Sequence, residues 1–530
     1  MTPEPPVAAA ARPIRTLGAT AAVLAAVAAF GQAFVVVREV YVAAEAGASA
    51  DLDALLVAII APMLAVSLLS AGTQAALVPS LIEVTQVRGQ DAARAHGGVI
   101  IGSILGLAIL AAIVLSIFTE GAIAVSGPGL GPAARLTAQS FMPVLLPLIV
   151  FVPAGMLLSA VCQVHGMFRA ISASWVAGPV VALAVTIGLW GSAGVGALAV
   201  ATTADAVATV VVLVGALTAA GNMPWPGRGI ATDEVRRFVR HAAPLTAGSS
   251  VLQLNLLTDR AVASMFSTGA VSVLRYGERI IRAPISVLLP AWSTVVYPAI
   301  ARSGAETDDT AMGRTASEAL RFVFAVFMPL SIATMALAPI VVAFAYQRGA
   351  FGEAATVATS GVLAGLGPLI LLWLVHPILN SAHNARRRGG LLARNAVLNA
   401  VLNAILNVAF GSVFGVVGIA LSTSVTGWVL TAVLARKLRD LEPDFDLADV
   451  TRVAMRALAA SLVPGIPLAI VAWVIRPALD LPGQFLVLVA ATIAGAAIYL
   501  AVARLLGLRE PWIVVTAMAK SVRARMRVSA

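Results

Sequence analysis

The chain has 530 residues, of which 60% are hydrophobic and 11% are charged, and its formal net charge is +10. Soluble proteins average about 45–50% apolar and about 25% charged residues, whereas the mean hydropathy here is +0.96. This composition excludes a soluble enzyme, a disordered protein and an ordinary nucleic-acid binder. The single cysteine, Cys162, excludes an internal disulfide and a cysteine-rich metal site.

A helix that crosses a bilayer needs about 20 mostly apolar residues, and fourteen stretches of the sequence meet that requirement. They run over residues 17–43, 54–83, 97–119, 137–163, 171–191, 193–220, 241–268, 274–300, 318–346, 355–383, 391–413, 415–435, 454–476 and 483–508. The second stretch is interrupted near residues 70–74, and the seventh and eighth carry charges. We predict an all-α polytopic membrane protein with about 14 transmembrane helices.

The basic residues predict the orientation of the chain in the membrane. Most of the 35 lysines and arginines fall in the two tails and the even-numbered loops, whereas the odd-numbered loops hold only Arg135, Arg348 and Arg476. Cytoplasmic loops are enriched in Lys and Arg. We therefore expect both termini in the cytoplasm, and the net charge is mainly a topology signal, with attraction to anionic lipid as a second effect.

The predicted spans repeat along the chain. Spans 1 and 4–6 recur as spans 7 and 10–12 at an offset close to 220 residues, although Ala/Gly/Val-rich helices also resemble one another by composition alone. Six helices is an even number, so the repeat is parallel, as in some transporters. The predicted parts are an N-lobe over 1–220, a cytoplasmic linker over 221–240, a C-lobe over 241–440, an added helix pair over 441–508 and a basic cytoplasmic tail over 509–530.

Charged side chains inside spans are costly, at least about 2.5–3.5 kcal/mol at the bilayer centre, and they usually mark function. Arg275, Arg279 and Arg282 share one face of span 8, and Glu278 can neutralise part of that face. Such an arginine face suits a bidentate anion such as phosphate or pyrophosphate. The alternatives are a structural ion-pair network between helices and, for Arg275, snorkelling to the outer interface.

Other polar residues in the spans also have two readings. The charged pairs Arg38/Glu39 in span 1 and Asp259/Arg260 in span 7, together with Asp205 in span 6, either line a hydrated cavity or pair within the protein. Span 11 carries asparagines at every fourth position, which favours hydrogen bonds between helices over substrate contact. These asparagines are Asn395, Asn399, Asn403 and Asn407.

Motifs of pumps and hydrolases are missing from the sequence. A phosphate-binding loop requires a lysine after a glycine, and neither Lys437 nor Lys520 follows one. The sequence also lacks H-E-x-x-H and G-x-S-x-G. We therefore expect a secondary transporter or flippase rather than an enzyme, with no cofactor, driven by membrane potential or by a coupled ion.

Four segments, in a fixed order along nearly the whole chain, point to one family. They are Val37–Ala58, Leu69–Pro79, Gly269–Pro284, and Tyr346–Phe351 followed by Asn384–Arg386. The third is the most specific, because it is similar to the family pattern G-S-V-S…Y-A-[DE]-R…P. With these segments the chain resembles the MurJ/MviN family of lipid II flippases, in the multidrug/oligosaccharidyl-lipid/polysaccharide exporter superfamily.

The resemblance implies two six-helix lobes around a central cationic cavity, alternating access, and a groove for the lipid tail formed by the last two helices. The family's cavity arginine in the first helix falls on Arg38, and the acid after that helix falls on Asp53. The acid–arginine pair of helix 8 falls on Glu278 and Arg279, with a nearby serine at Ser272. Two further cationic positions of the family are neutral here, at Gln32 and Val66.

These observations lead to one hypothesis with three competitors. The chain is expected to translocate an undecaprenyl-pyrophosphate-linked peptidoglycan precursor across the bacterial cytoplasmic membrane, among membrane lipids and with cell-wall synthesis proteins as partners. Its substrate-binding residues are expected to be Arg38, Arg279, Arg282 and Ser272, and its gate or ion-pair residues Glu39, Asp53, Asp259, Arg260 and Glu278. The competitors are a flippase for another lipid-linked oligosaccharide, a cation-coupled drug exporter, and a membrane scaffold that transports nothing.

Overall fold

The structure is a computed structural model that describes residues 27–225, 236, 238, 240, 255–305 and 311–516. Within these ranges the chain forms helices and no strand, as the composition predicts. In chain order the helices are α1 Val27–Ala46, α2 Ala50–Ala58, α3 Ile60–Arg88, α4 Gln90–Ile117, α5 Thr119–Ser126, α6 Pro132–Leu145, α7 Leu148–Val164, α8 Phe168–Ala193, α9 Gly196–Ala219, α10 over 255–263, α11 Ala270–Ala305, α12 Ala311–Ala336, α13 Ala338–Tyr346, α14 Glu353–Leu366, α15 Leu369–Ala385, α16 Gly389–Phe414, α17 Val416–Arg439, α18 Leu447–Ile475, α19 Leu481–Leu505 and α20 over 510–516.

Most of the predicted spans correspond to helices that can cross a membrane. Eleven helical segments of the described residues are long and apolar enough, and the pair α6 and α7, bent by 41°, makes a twelfth if it is one span. The predicted span at 241–268 lies mostly outside the described residues. The predicted span at 274–300 lies within the 36-residue helix α11, which is too charged to qualify by apolarity. The total of fourteen therefore stays a prediction.

The second predicted span differs from its expected form. We expected an interruption near residues 70–74, but α3 continues through them, and the break lies at Ile59, between α2 and α3. The hydroxyl of Ser70 donates to the carbonyl of Val66 at 2.6 Å, and that of Thr73 donates to the carbonyl of Leu69 at 2.6 Å. Since these hydroxyls bond within their own helix, Ser and Thr are accommodated there without breaking it.

The chain divides into two compact units, Met1–Leu257 and Thr258–Ala530. In the first unit α8 packs along α9, and α3 packs against α4 and α7. Helix α1 follows α8, since Gly31 lies against the carbonyl of Trp175 and the rings of Tyr41 and Trp190 meet edge to face at 5.6 Å. The first unit thus holds α1 beside the α8–α9 pair.

In the second unit the last two long helices are anchored on α12. Arg321 of α12 donates to Asp449 of α18 at 2.5 Å, and the hydroxyl of Ser317 accepts from the backbone N–H of Asp446 at 3.0 Å. The hydroxyl of Tyr499 in α19 donates to the carbonyl of Ala325. Helices α18 and α19 are therefore packed into the second unit, while their use as a lipid-tail groove stays a prediction.

The internal repeat predicted from sequence appears in the helix lengths. Helices α6 and α14 have 14 residues each, α7 and α15 have 17, α8 and α16 have 26, and α9 and α17 have 24. The starts of the four pairs differ by 221, 221, 221 and 220 residues. Gly194 and Gly415, also 221 apart, both take a positive φ before the last helix of each pair, at 53° and 60°. Such a φ favours glycine.

A close contact of α11 with α14 gives a test of the packing. A Cβ added at Gly277 would lie 2.6 Å from Cγ1 of Val362, and overpacking of this kind costs about 1–3 kcal/mol. We expect Gly277→Ala to lower the melting temperature of the purified protein, and to do so much less in a Val362→Ala background. Gly106→Ala in α4 is the control, because nothing lies within 4 Å of the added Cβ. Equal melting temperatures for the native chain and Gly277→Ala would contradict this packing.

Candidate functional site

The charged residues predicted in the first span are buried in the first unit. Arg38 and Glu39, neighbours on α1, are 9% and 1% exposed, and Asp53 in the first turn of α2 is 4% exposed. The hydroxyl of Ser49 accepts from the backbone N–H of Leu52 at 3.4 Å and caps the start of α2. The three charges therefore sit on the adjoining ends of two short-linked helices.

Asp205 brings a carboxylate towards Arg38. It lies on α9 within electrostatic range of Arg38, and its carboxylate occupies the space that a Cβ at Gly178 of α8 would need. Because position 178 is a glycine, the acid fits between α8 and α9. Of the two readings of Asp205, this arrangement favours pairing within the protein.

In the second unit Asp259 is held by the asparagines of α16. Its side chain is 5% exposed, and its Oδ1 accepts from Nδ2 of Asn403 and Nδ2 of Asn407, each at 2.6 Å. The hydroxyl of Ser422 on α17 donates to Oδ1 of Asn407. The asparagine ladder thus bonds to other helices, as its spacing predicts, and Asn395 is buried with it.

The oxygen atoms around Asp259 include one that lacks a donor. Oδ1 of Asn403 is buried without a hydrogen-bond partner in the described part of the chain, next to the amide nitrogen that bonds Asp259. Carboxylate, amide and hydroxyl oxygens are the ligands that hard cations prefer. Asp259, Asn403, Asn407 and Ser422 are therefore the residues of this unit that could hold a small cation. No group of three His, Cys, Asp or Glu suited to a metal occurs within the described ranges.

Helices α10 and α11 carry more guanidinium groups than carboxylates. Residues 255–286 contain four arginines and two acids. Arg260 lies within electrostatic range of Glu278, Arg275 and Arg282. Arg260 and Arg279 are half-buried and Arg282 is exposed.

The structure corrects the expected neutralisation of this helical face. Across the described residues, Glu278 forms no ion pair with Arg275 or Arg282 within 4.0 Å, and neither Arg279 nor Arg282 pairs with any acid. Glu278 instead has Asp259 and Arg260 as electrostatic neighbours. The arginine face of α11 therefore keeps its charge.

Arg282 has an aromatic neighbour instead of an acidic one. Its guanidinium carbon lies 5.8 Å from the ring centroid of Trp373 on α15, a cation–π distance. One helical turn further along α15, Nδ1 of His376 lies 3.3 Å from the hydroxyl of Thr431. The sequence gave no signal for Trp373, because a tryptophan in an apolar span is ordinarily read as core.

Other arginines of the second unit have their charge neutralised. Arg386 binds Glu442 with two hydrogen bonds, of 2.7 and 3.0 Å, and Arg476 binds Glu353 with two, one of them 3.0 Å. Arg321 binds Asp449. Against these pairs, the arginines of α11 stand out as available for an anion.

Ser272 and the motif around Glu278 lie beside an aromatic cluster. Ser272 and Tyr276 are fully buried. The ring of Tyr276 lies 4.9 Å from that of Tyr346 and 5.2 Å from that of Phe351. Two sequence segments that carry the family resemblance thus meet, and they fix the start of α11. A direct role of Ser272 in substrate binding stays a prediction.

The charged pairs of the two units occupy equivalent positions in the repeat. Arg38-Glu39 and Asp259-Arg260 are 221 residues apart, the same offset as three of the four helix starts. The order of the charges is reversed, so the first unit places a cation where the second places an acid. Each of these residues turns towards the later helices of its own unit, where Asp205 and the asparagines lie.

Comparison with known proteins assigns the chain to a family. Residues 42–503 match the family model described as lipid II flippase MurJ. A probable lipid II flippase MurJ of Rhizobium meliloti (strain 1021) is 25% identical over 501 residues, 88% of this chain and 90% of that protein. A probable lipid II flippase MurJ of Vibrio cholerae is 26% identical over 224 residues, 42% of each chain.

Solved structures share the fold. A lipid II flippase MurJ in an inward closed conformation covers 91% of this chain and 98% of its own, with a TM-score of 0.74 at 18% identity. An inward-facing multidrug transporter of the MATE family covers 78% and 95%, with a TM-score of 0.63 at 15% identity. At such identities the likeness concerns the fold alone, whereas the family model spans most of the sequence. The chain is a multi-pass membrane protein and belongs to the lipid II flippase MurJ family.

Proposed function

We propose that this chain translocates lipid II, an undecaprenyl-pyrophosphate-linked peptidoglycan precursor, across the bacterial cytoplasmic membrane by alternating access. The proposal rests mainly on one observation: Arg279 and Arg282 lie on α11 without an acidic partner among the described residues. A guanidinium group offers in-plane donors that match the oxygens of a phosphate. The family to which the chain belongs supports the same assignment.

The role of each residue follows from its surroundings. Arg279 and Arg282 in the second unit and Arg38 in the first bind the pyrophosphate, while Asp205 competes for Arg38 when substrate is absent. Glu278, Asp53 and Glu39 position arginines or close a gate. Both termini face the cytoplasm, α18 and α19 take the prenyl tail, and the chain carries out transport and no catalysis.

A second function, transport of another lipid-linked oligosaccharide, is favoured by two positions. Gln32 and Val66 are neutral where the family resemblance implies arginines, and Gln32 is exposed while Val66 is 6% exposed. A drug exporter of the same fold is disfavoured, because its cavity is expected to be dominated by acids and this chain presents surplus arginine. A scaffold would have its spanning charges paired, which is not so for Arg279 and Arg282.

Charge neutralisation tests the proposed arginines in cells depleted of their own lipid II flippase. The native chain is expected to restore growth, whereas Arg38→Ala and Arg279→Ala are expected to fail although they reach the membrane in normal amounts, because each removes charge from the pyrophosphate site. Arg169→Ala, an exposed arginine between α7 and α9, is the matched control and should restore growth. Growth restored by both cavity variants would contradict the assignment. Failure of the folded native chain would favour the second function.

We also propose that the driving force is the membrane potential together with a coupled cation at Asp259. The buried oxygens of Asp259 and Asn403, one of them without a donor, support this position. A carboxylate removed from water is strongly disfavoured unless it is compensated, and a bound Na+ or a proton would compensate it.

The coupling proposal can be tested in vesicles that contain the purified chain and labelled lipid II. Translocation is expected to change at least several-fold when Na+ is replaced by choline or when the pH gradient is collapsed, and Asp259→Asn is expected to abolish that dependence. Asp205→Asn, which removes an acid of the first unit, should retain it. If the native chain responds to membrane potential alone and Asp259→Asn behaves identically, no cation is coupled at this site.

A further inference from the structure

The pair formed by Arg282 and Trp373 differs from the other arginine contacts of the second unit. Arg282 is exposed and Trp373 is half-buried, 5.8 Å from guanidinium carbon to ring centroid. Arg386 and Arg476 spend their donors on carboxylates, whereas Arg282 forms no hydrogen bond or ion pair with the described residues. The aromatic face is therefore its principal contact.

A guanidinium group that stacks on a ring keeps its donors. The five N–H groups of arginine lie in the guanidinium plane, and a contact through the face leaves them directed outward. A carboxylate partner would occupy two of them and cancel the charge. An aromatic partner restricts the side chain without either effect, so the group is ordered before the anion arrives and less rotamer freedom is lost on binding.

The surroundings of Arg282 make such restraint necessary. Arg260 and Arg275 lie in the same electrostatic neighbourhood, so like charges repel around Arg260 and favour outward movement of a long, flexible side chain. Helix α11 packs against α15, which fixes the backbone beneath both residues. Trp373 then limits where the guanidinium can lie.

From this geometry we propose that Trp373 is a positioning residue for the proposed substrate: its ring holds Arg282 with its donors directed at the pyrophosphate of the lipid-linked precursor. Trp373 acts through Arg282 and needs no contact of its own with the anion. The inference rests on the proposed function, since it names a residue of the same anion site. Tryptophan gives the strongest cation–π attraction among the aromatic residues, so phenylalanine should serve partly and leucine should not serve.

The chain supplies a matched control for this proposal. Arg504 lies over Trp512 at 5.6 Å, with the arginine exposed and the tryptophan half-buried as in the first pair. Trp512→Leu therefore removes the same kind of contact in the same class of environment. It lies near the end of the described chain, on α20, away from α10 and α11 in sequence.

The test measures binding of lipid II, undecaprenyl pyrophosphate and inorganic pyrophosphate to the full chain in nanodiscs. Trp373→Leu is expected to weaken binding of both lipids about three- to tenfold, Trp373→Phe less, and Trp512→Leu not at all. The double variant Trp373→Leu/Arg282→Ala should bind as Arg282→Ala does, because the tryptophan acts through the arginine. Inorganic pyrophosphate should show the same order if the anion alone is recognised, and a lipid-only effect would assign the ring to the lipid part and overturn the proposal.

Two further results would also overturn it. Additive losses in the double variant would mean that Trp373 acts independently of Arg282, and native affinity in a folded Trp373→Leu chain would mean that the ring does not position the arginine. Folding of each variant is checked by its melting temperature. If the native chain binds neither lipid, the proposed function itself fails, which is a different outcome from loss in the variants alone.

Discussion

A guanidinium group in a membrane protein must be hydrated, neutralised or held by another group, because its transfer to hydrocarbon is costly. The second unit uses two of these solutions. Arg321, Arg386 and Arg476 pair with carboxylates and join helices. Arg279 and Arg282 of α11 have no acidic partner in the described chain, so they need water or an anionic ligand. The location and packing of α11 follow from this constraint, because a helix with four such charges cannot be placed wholly against lipid.

The rest of the second unit supports this helix. Tyr276, Tyr346 and Phe351 fix its first turns, and Gly277 lets α14 approach. The first unit repeats the helix lengths but reverses the charges at the equivalent pair, Arg38-Glu39 for Asp259-Arg260. One ancestral arrangement has therefore been used for two purposes. The first unit satisfies its cation with an acid of its own, and the second surrounds its acid with amide and hydroxyl oxygens.

Much of the fold could be predicted from sequence, because apolar length alone identifies a membrane helix and the basic loops give its direction. The repeat was also legible, since equal helix lengths keep a fixed offset. The continuity of α3 was not, because hydroxyls that bond within a helix look like a break in an apolar run. In the site, spacing placed the arginines on one face and the asparagines on one stripe. It could not show that Glu278 leaves Arg275 and Arg282 unpaired, or that Trp373 of a distant helix lies under Arg282, because both depend on tertiary packing.

The central claim is that the absence of an acidic partner on α11 enables the protein to bind its anionic substrate. It is tested most directly by supplying such a partner without removing any arginine. Ala283 is exposed and lies four residues after Arg279, a spacing at which opposite charges pair on a helix. Binding of lipid II to the full chain in nanodiscs should weaken about tenfold or more in Ala283→Glu, equivalent to about 1.4 kcal/mol, and stay native in Ala283→Gln. Native affinity in a folded Ala283→Glu chain would contradict the claim.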